Sequence, residues 1–265
     1  MSTHETLPTS EHRADASAPF RLAGLTKRYG ELTAVDAVSL SIPAGSFYGL
    51  VGPNGAGKTT LLSMAVGLIR PDAGTSFVLD HDLWADPVAA KTALGVLPES
   101  DFLPRRLTAP ELLTGVGLLR GMTAKTVAAR TEELLGVLGL DDADHVVIAD
   151  YSTGMRKKIA LAVALLHGPS ILVLDEPLES VDPVSASTIR SILTSFIRGG
   201  GTVVFSSHVM PLVEALCDHV AVMAAGRIIA AGTLDQVRGT QSLDQAFAQL
   251  IGVDAAKETL SWFAS

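Results

Sequence analysis

The chain has 265 residues, 48% of them apolar, 5% aromatic and 18% charged, and a mean hydropathy of +0.36 that raises the question of a membrane span. A spanning helix needs roughly 20 mostly apolar residues. The longest stretch without Asp, Glu, Lys or Arg, residues 37–57, is broken by Pro43, Gly45, Gly49, Gly52, Pro53 and Gly55, and the next, 159–174, by His167, Gly168 and Pro169, so no span is expected. The net charge of −8 disfavours a protein that coats nucleic acid, although Arg156, Lys157 and Lys158 form a local basic run.

In chain order, residues 1–19 are polar, lack the apolar core of a signal peptide and read as a disordered tail. Segments 20–25 and 35–42 alternate apolar with polar residues, as antiparallel strands do. Residues 47–51 form a compact apolar run that ends in a Gly-rich loop. Residues 60–68 follow with helical spacing and stop at a turn cluster, 70–74. Residues 91–97 read as a strand. Thr108 is placed to cap a helix beginning near Pro110, and Thr123 to cap another reaching about Leu138 and ending at Gly139. Beyond Tyr151 the pattern alternates: helix over 155–166, strand 171–174, helix 183–198, strand 202–206, helix 210–217, strand 220–223, then a short amphipathic helix over 242–251. Apolar strands alternating with helices predict an α/β fold with a mostly parallel sheet covered on both faces. The lone Cys217 cannot form an internal disulfide, suits a reducing compartment, and sits among apolar neighbours as buried filler.

Two motifs carry chemistry. Gly52-Pro53-Asn54-Gly55-Ala56-Gly57-Lys58-Thr59 fits G-x-x-x-x-G-K-[ST], with an apolar strand before it and a helix after it. Its glycines let backbone N–H groups converge on phosphate oxygens at a helix N-terminus. Lys58 would reach the β- and γ-phosphates and Thr59 would hold Mg²⁺. Downstream, Ile171-Leu172-Val173-Leu174 is a buried strand that ends in Asp175-Glu176. Successive strand residues point to opposite faces, so the two carboxylates are free for different work: Asp175 at the Mg²⁺ shell, Glu176 toward an attacking water.

With these motifs the chain resembles the ATP-binding subunit of ATP-binding cassette (ABC) transporters, and is most similar to the drug-exporter type. The resemblance spans about residues 20–251. It implies a P-loop NTPase core with an antiparallel β subdomain near the N-terminus, a helical subdomain inserted at about 100–154, and a C-terminal tail, 252–265. It also implies site residues. Tyr29 matches the aromatic that stacks on adenine, and Gly52 through Thr60 (with Pro53, Asn54, Gly55, Ala56, Gly57, Lys58 and Thr59 between) match the phosphate loop. Tyr151-Ser152-Thr153-Gly154-Met155 stands where the family has Leu-Ser-Gly-Gly-Gln, matching at Ser152 and Gly154 and departing at Tyr151, Thr153 and Met155. That segment closes over ATP held by an opposite copy, with Thr153 adding a Cβ where the family has Gly. Asp182 matches the loop crossing the dimer interface, Glu176 the catalytic carboxylate and His208 the switch histidine at the γ-phosphate. Glu99 stands where the family usually has Gln at the metal, and is expected to keep a metal role beside Thr59 and Asp175.

The resemblance therefore implies an ATPase that uses ATP and Mg²⁺ and works as a homodimer or heterodimer. It implies a separate membrane permease, a place on the cytoplasmic face of the membrane, and export. A non-transport ABC ATPase acting in DNA repair or translation shares the nucleotide motifs and stays open, as does a weakly hydrolysing regulatory subunit.

Overall fold

The computed structural model describes residues 17–98 and 103–252. β1 (Phe20–Tyr29) and β2 (Leu32–Ile42) form an antiparallel hairpin registered from Phe20 opposite Ile42 to Tyr29 opposite Leu32. β3 (Phe47–Val51) then enters a second sheet, and α1 (Lys58–Ala65) follows the Gly-rich loop directly. The chain returns to the first sheet as β4 (Ala73–Val78), antiparallel to β1, and β5 (His81–Asp82). α2 (Pro87–Thr92) and β6 (Leu94–Leu97) come next, then α3 (Ala109–Leu119) and α4 (Ala124–Leu138). The remainder alternates: α5 (Thr153–Leu165), β7 (Ile171–Leu174), α6 (Pro183–Arg198), β8 (Thr202–Ser207), α7 (Met210–Leu216), β9 (His219–Ala224) and β10 (Arg227–Thr233). Two short helices, α8 (Leu234–Arg238) and α9 (Leu243–Ile251), close the described residues.

The second sheet has the order β10-β9-β3-β8-β7-β6 and is parallel except for β10. Its central strands β3, β7 and β8 are buried on both faces, and the period-2 alternation sorts the side chains of the parallel strands between two apolar clusters. Tyr48, Leu50, Ile171, Val173, Val204, Ala221 and Met223 point toward α1 and the first sheet. Phe47, Val51, Leu172, Leu174, Val203, Phe205, Val220 and Val222 point toward α3 to α7. Phe47 and Phe205 meet edge to face at 5.4 Å. Each fully buried Leu or Val contributes about 1.5–3 kcal/mol, so this two-sided burial both holds the sheet and accounts for the high hydropathy. Among the described residues no helix is long and apolar enough to cross a membrane. Cys217 is buried in the second cluster, and burial pushes its thiol pKa up.

Helix starts follow the caps. Thr108 Oγ1 accepts the Glu111 N–H while the Glu111 carboxylate accepts the Thr108 N–H, a reciprocal box that starts α3. Thr123 caps α4, and Gly139 closes it in a left-handed conformation. Three expectations are corrected. The run 91–97 is not one strand: Asp86 accepts the Ala89 N–H and Pro87 sits at the first turn, so Lys91 and Thr92 end α2 and the strand starts at Leu94. The helix expected over 60–68 runs from Lys58 to Ala65. The turn cluster 70–74 already contains the start of β4, whose pairing with β1 overrides its polar, glycine-containing sequence.

Candidate functional site

Three loops leave the same edge of the parallel sheet, where the C-terminal ends of β3, β7 and β8 lie side by side. Ligands of open α/β sheets bind at such an edge. The loop after β3 ends at Gly57, which takes φ 103 as the residue before α1 and brings no side-chain cap. A Cβ there would lie 2.3 Å from the Ala34 carbonyl oxygen of β2, so only glycine lets the loop press against the hairpin. With no side-chain cap from Gly57, the N-terminus of α1 presents its partial positive charge toward the loop, where an anion is favoured. Lys58 is buried, and its Nζ donates to the Gly52 carbonyl at 2.8 Å and the Pro53 carbonyl at 3.3 Å.

The register of β7 against β8, Leu174 opposite Phe205, puts Asp175 level with Ser206, and alternation puts both on the α1 side of the sheet. Ser206, fully buried, donates its hydroxyl to Asp175 Oδ1. The same Ser206 Oγ accepts the Glu176 N–H at 2.9 Å. Glu176 is 8% exposed and takes φ 46, a left-handed conformation that costs a side-chain-bearing residue about 1–3 kcal/mol and gathers at functional sites. Its Oε1 lies 3.2 Å from His208 Nδ1 and 3.9 Å from Lys58 Nζ. The structure therefore brings Lys58, Asp175, Glu176 and His208 together.

The segment Tyr151 to Gly154 lies at the start of α5. Ser152 Oγ caps that helix by accepting the Met155 N–H at 3.2 Å, and Ser152 and Thr153 are exposed. Gly154 is buried against the start of α6. A Cβ on it would meet Asp182 Oδ2 at 2.6 Å and Ser185 Oγ at 2.7 Å. Asp182 Oδ1 in turn accepts the Val184 and Ser185 N–H groups at the start of α6. Those N–H and hydroxyl contacts, led by the Ser185 N–H, hold its carboxyl pKa below the usual range. Tyr29 stands at the end of β1, on the hairpin that abuts the Gly57 loop; it is half-exposed, with Lys27 Nζ 5.7 Å from its ring centroid. Glu99 lies outside the described residues.

Two residues at this edge escape sequence reasoning. Ser206 sits in the Ser206-Ser207-His208 run, but its partners belong to another strand and only the register reveals them. Lys157 belongs to the run read as a local basic patch, and the structure dissolves that patch. Lys158 is buried, Arg156 donates to the Tyr151 carbonyl at 2.5 Å and to Thr153 Oγ1 at 3.3 Å, and Lys157 Nζ donates to the Glu176 carbonyl at 2.9 Å.

A parallel sheet with this glycine loop, a lysine at the start of the next helix and carboxylates at the neighbouring strand end defines a P-loop nucleotide-binding fold. Comparison with known proteins takes this further. Residues 35–179 match the ABC transporter family. The daunorubicin/doxorubicin resistance ATP-binding protein of Streptomyces peucetius is 35% identical over 82% of this chain and 66% of its own length. The Nod factor export ATP-binding protein I of Ralstonia nicotianae is 38% identical over 79% of this chain and 65% of its own. The chain thus spans about two thirds of the length of these relatives. A solved structure of the ATP-binding subunit of an ABC transporter superposes with a TM-score of 0.82 at 26% identity, covering 88% of this chain and 100% of that one. The chain belongs to the ATP-binding proteins of the ABC transporter family.

Proposed function

We propose that this chain binds and hydrolyses ATP as the motor subunit of an ABC exporter. The observation that carries the reading is the Glu176 carboxylate, 3.2 Å from His208 Nδ1 and 3.9 Å from Lys58 Nζ beside the Gly-rich loop. The loop from Gly52 to Thr60 cradles the phosphates, Lys58 leaves its loop carbonyls for phosphate oxygen, and Tyr29 stacks on the base. Glu176 accepts a proton from the attacking water, and His208 steadies the charge that builds on the γ-phosphate. The Thr59 hydroxyl and the Asp175 carboxylate are hard oxygen donors that suit Mg²⁺, with Ser206 fixing one Asp175 oxygen; bound there, the ion supplies charge neutralisation on the phosphates.

In this reading the second half of the site comes from another copy. Ser152, Thr153 and Gly154 head a helix whose N-terminus favours an anion, and Asp182 lies beside them at the same surface. Dimer closure and release then drive a separate membrane subunit from the cytoplasmic face. The resistance and export functions in the names of the relatives support export as the direction. Glu176→Gln tests the reading with purified protein. It should keep ATP affinity, trap an ATP-bound dimer on a sizing column and lose about 10²–10⁴ in hydrolysis rate. Wild-type turnover by that variant removes Glu176 from the catalytic role, and no turnover by the wild-type chain sinks the assignment.

A further inference from the structure

The Glu176 peptide is held at both ends by side chains from different elements. At its nitrogen, the N–H donates to Ser206 Oγ on β8 at 2.9 Å. At its carbonyl, the oxygen accepts from Lys157 Nζ on α5 at 2.9 Å. Between these anchors the residue sits at φ 46, where a residue with a Cβ remains only if its surroundings over-determine it. Ser206 is 0% exposed and its hydroxyl proton is committed to Asp175, so its oxygen is fixed as an acceptor. Relaxation of φ to an ordinary value near −60° would turn the residue by roughly 100° about N–Cα. That turn would carry Oε1 away from His208 Nδ1 and Lys58 Nζ.

We propose that Lys157 and Ser206 are positioning residues that clamp the Glu176 peptide in its left-handed conformation and so aim its carboxylate. The inference rests on the reading of Glu176 as the group that activates water, and it assigns to Lys157 a task that its place in a basic run does not suggest. Lys157 stands one helical turn beyond Thr153 on α5, so the helix that presents Ser152, Thr153 and Gly154 also grips the carboxylate's own peptide.

The test uses the full chain and steady-state ATPase kinetics with Lys157→Met, Lys157→Arg, Ser206→Ala, Ser206→Thr and the double variant Lys157→Met/Ser206→Ala. Misplacing a reacting group by about 1 Å can cost on the order of 10²-fold. Lys157→Met and Ser206→Ala should each lower kcat by about 10- to 100-fold, with KM for ATP within about twofold and the thermal midpoint retained. Lys157→Arg and Ser206→Thr keep the donor or the hydroxyl and should recover most of the loss. Because both side chains hold the backbone of one residue, on either side of its Cα, the double variant should fall little further than the worse single variant. Unchanged kcat in Lys157→Met, multiplied losses in the double variant, or losses of kcat, KM and thermal midpoint together without conservative rescue would each overturn the clamp. Glu176→Gln runs alongside. If it turns over like the wild type, the reading of Glu176 as the group that activates water falls and the clamp with it; if it is dead while Lys157→Met is normal, only the clamp falls.

Discussion

Gly57→Ala, set beside Gly55→Ala, separates two reasons for glycine in the loop. Both residues have positive φ, 80 at Gly55 and 103 at Gly57. A Cβ at Gly55 meets nothing within 4 Å, whereas at Gly57 it would lie 2.3 Å from the Ala34 carbonyl oxygen and 2.9 Å from Met223 Cε. The methionine end can swing away, but the carbonyl belongs to a paired strand and must carry backbone with it. Gly55→Ala thus costs only backbone strain, about 1 kcal/mol. Gly57→Ala adds overpacking of about 1–3 kcal/mol to strain of the same order, or about 4 kcal/mol together. For a chain of this size each 1 kcal/mol moves the melting temperature by about 2–4 °C. Differential scanning fluorimetry without nucleotide should therefore show a fall of a few degrees for Gly55→Ala and about 8–16 °C for Gly57→Ala. Equal small shifts would refute the claim that the press of β2 on the loop makes residue 57 glycine.

Two further outcomes follow from single side chains. Tyr29→Ala should weaken ATP binding by about 1–3 kcal/mol, the usual worth of a base stacked on an aromatic ring, while Tyr29→Trp retains affinity; equal affinity for wild type and Tyr29→Ala by equilibrium titration would remove Tyr29 from the site. His167 Nε2 bonds the Leu94 carbonyl at 2.9 Å, and burial, helped by nearby Arg120 and Arg130, lowers its pKa to about 4. Between pH 6.5 and 4 the unfolded chain takes up this proton and the folded chain does not, so stability falls as pH drops through that window and is unaffected above it. Urea midpoints at pH 7 and pH 5 should differ more for wild type than for His167→Gln; an equal difference would exclude His167 as a source of acid sensitivity.

Local signals determined much of this protein from sequence. The run Gly52 to Thr59 carries its own strand before and helix after, and the caps at Thr108 and Thr123 act on N–H groups three residues away. Buried parallel strands announce themselves because both faces must be apolar, which leaves Asp175 and Glu176 conspicuous at the end of Ile171–Leu174. Elements that depend on a distant partner stayed hidden. β4 is a strand because β1 pairs with it; α2 escapes sequence reasoning for a local reason, since its Asp86 cap lies upstream of the run 91–97 whose first two residues it takes. The site divides in the same way. Two short motifs named Lys58, Asp175 and Glu176, and the family resemblance added His208, but neither carried the distances among them. Only the tertiary structure brought Ser206 and Lys157 onto the Glu176 peptide, because sheet register and the packing of α5 are set by long-range burial, which no short stretch of chain encodes. The left-handed conformation of Glu176 belongs to the same class: a strained local state that distant anchors maintain and that its own sequence would not choose.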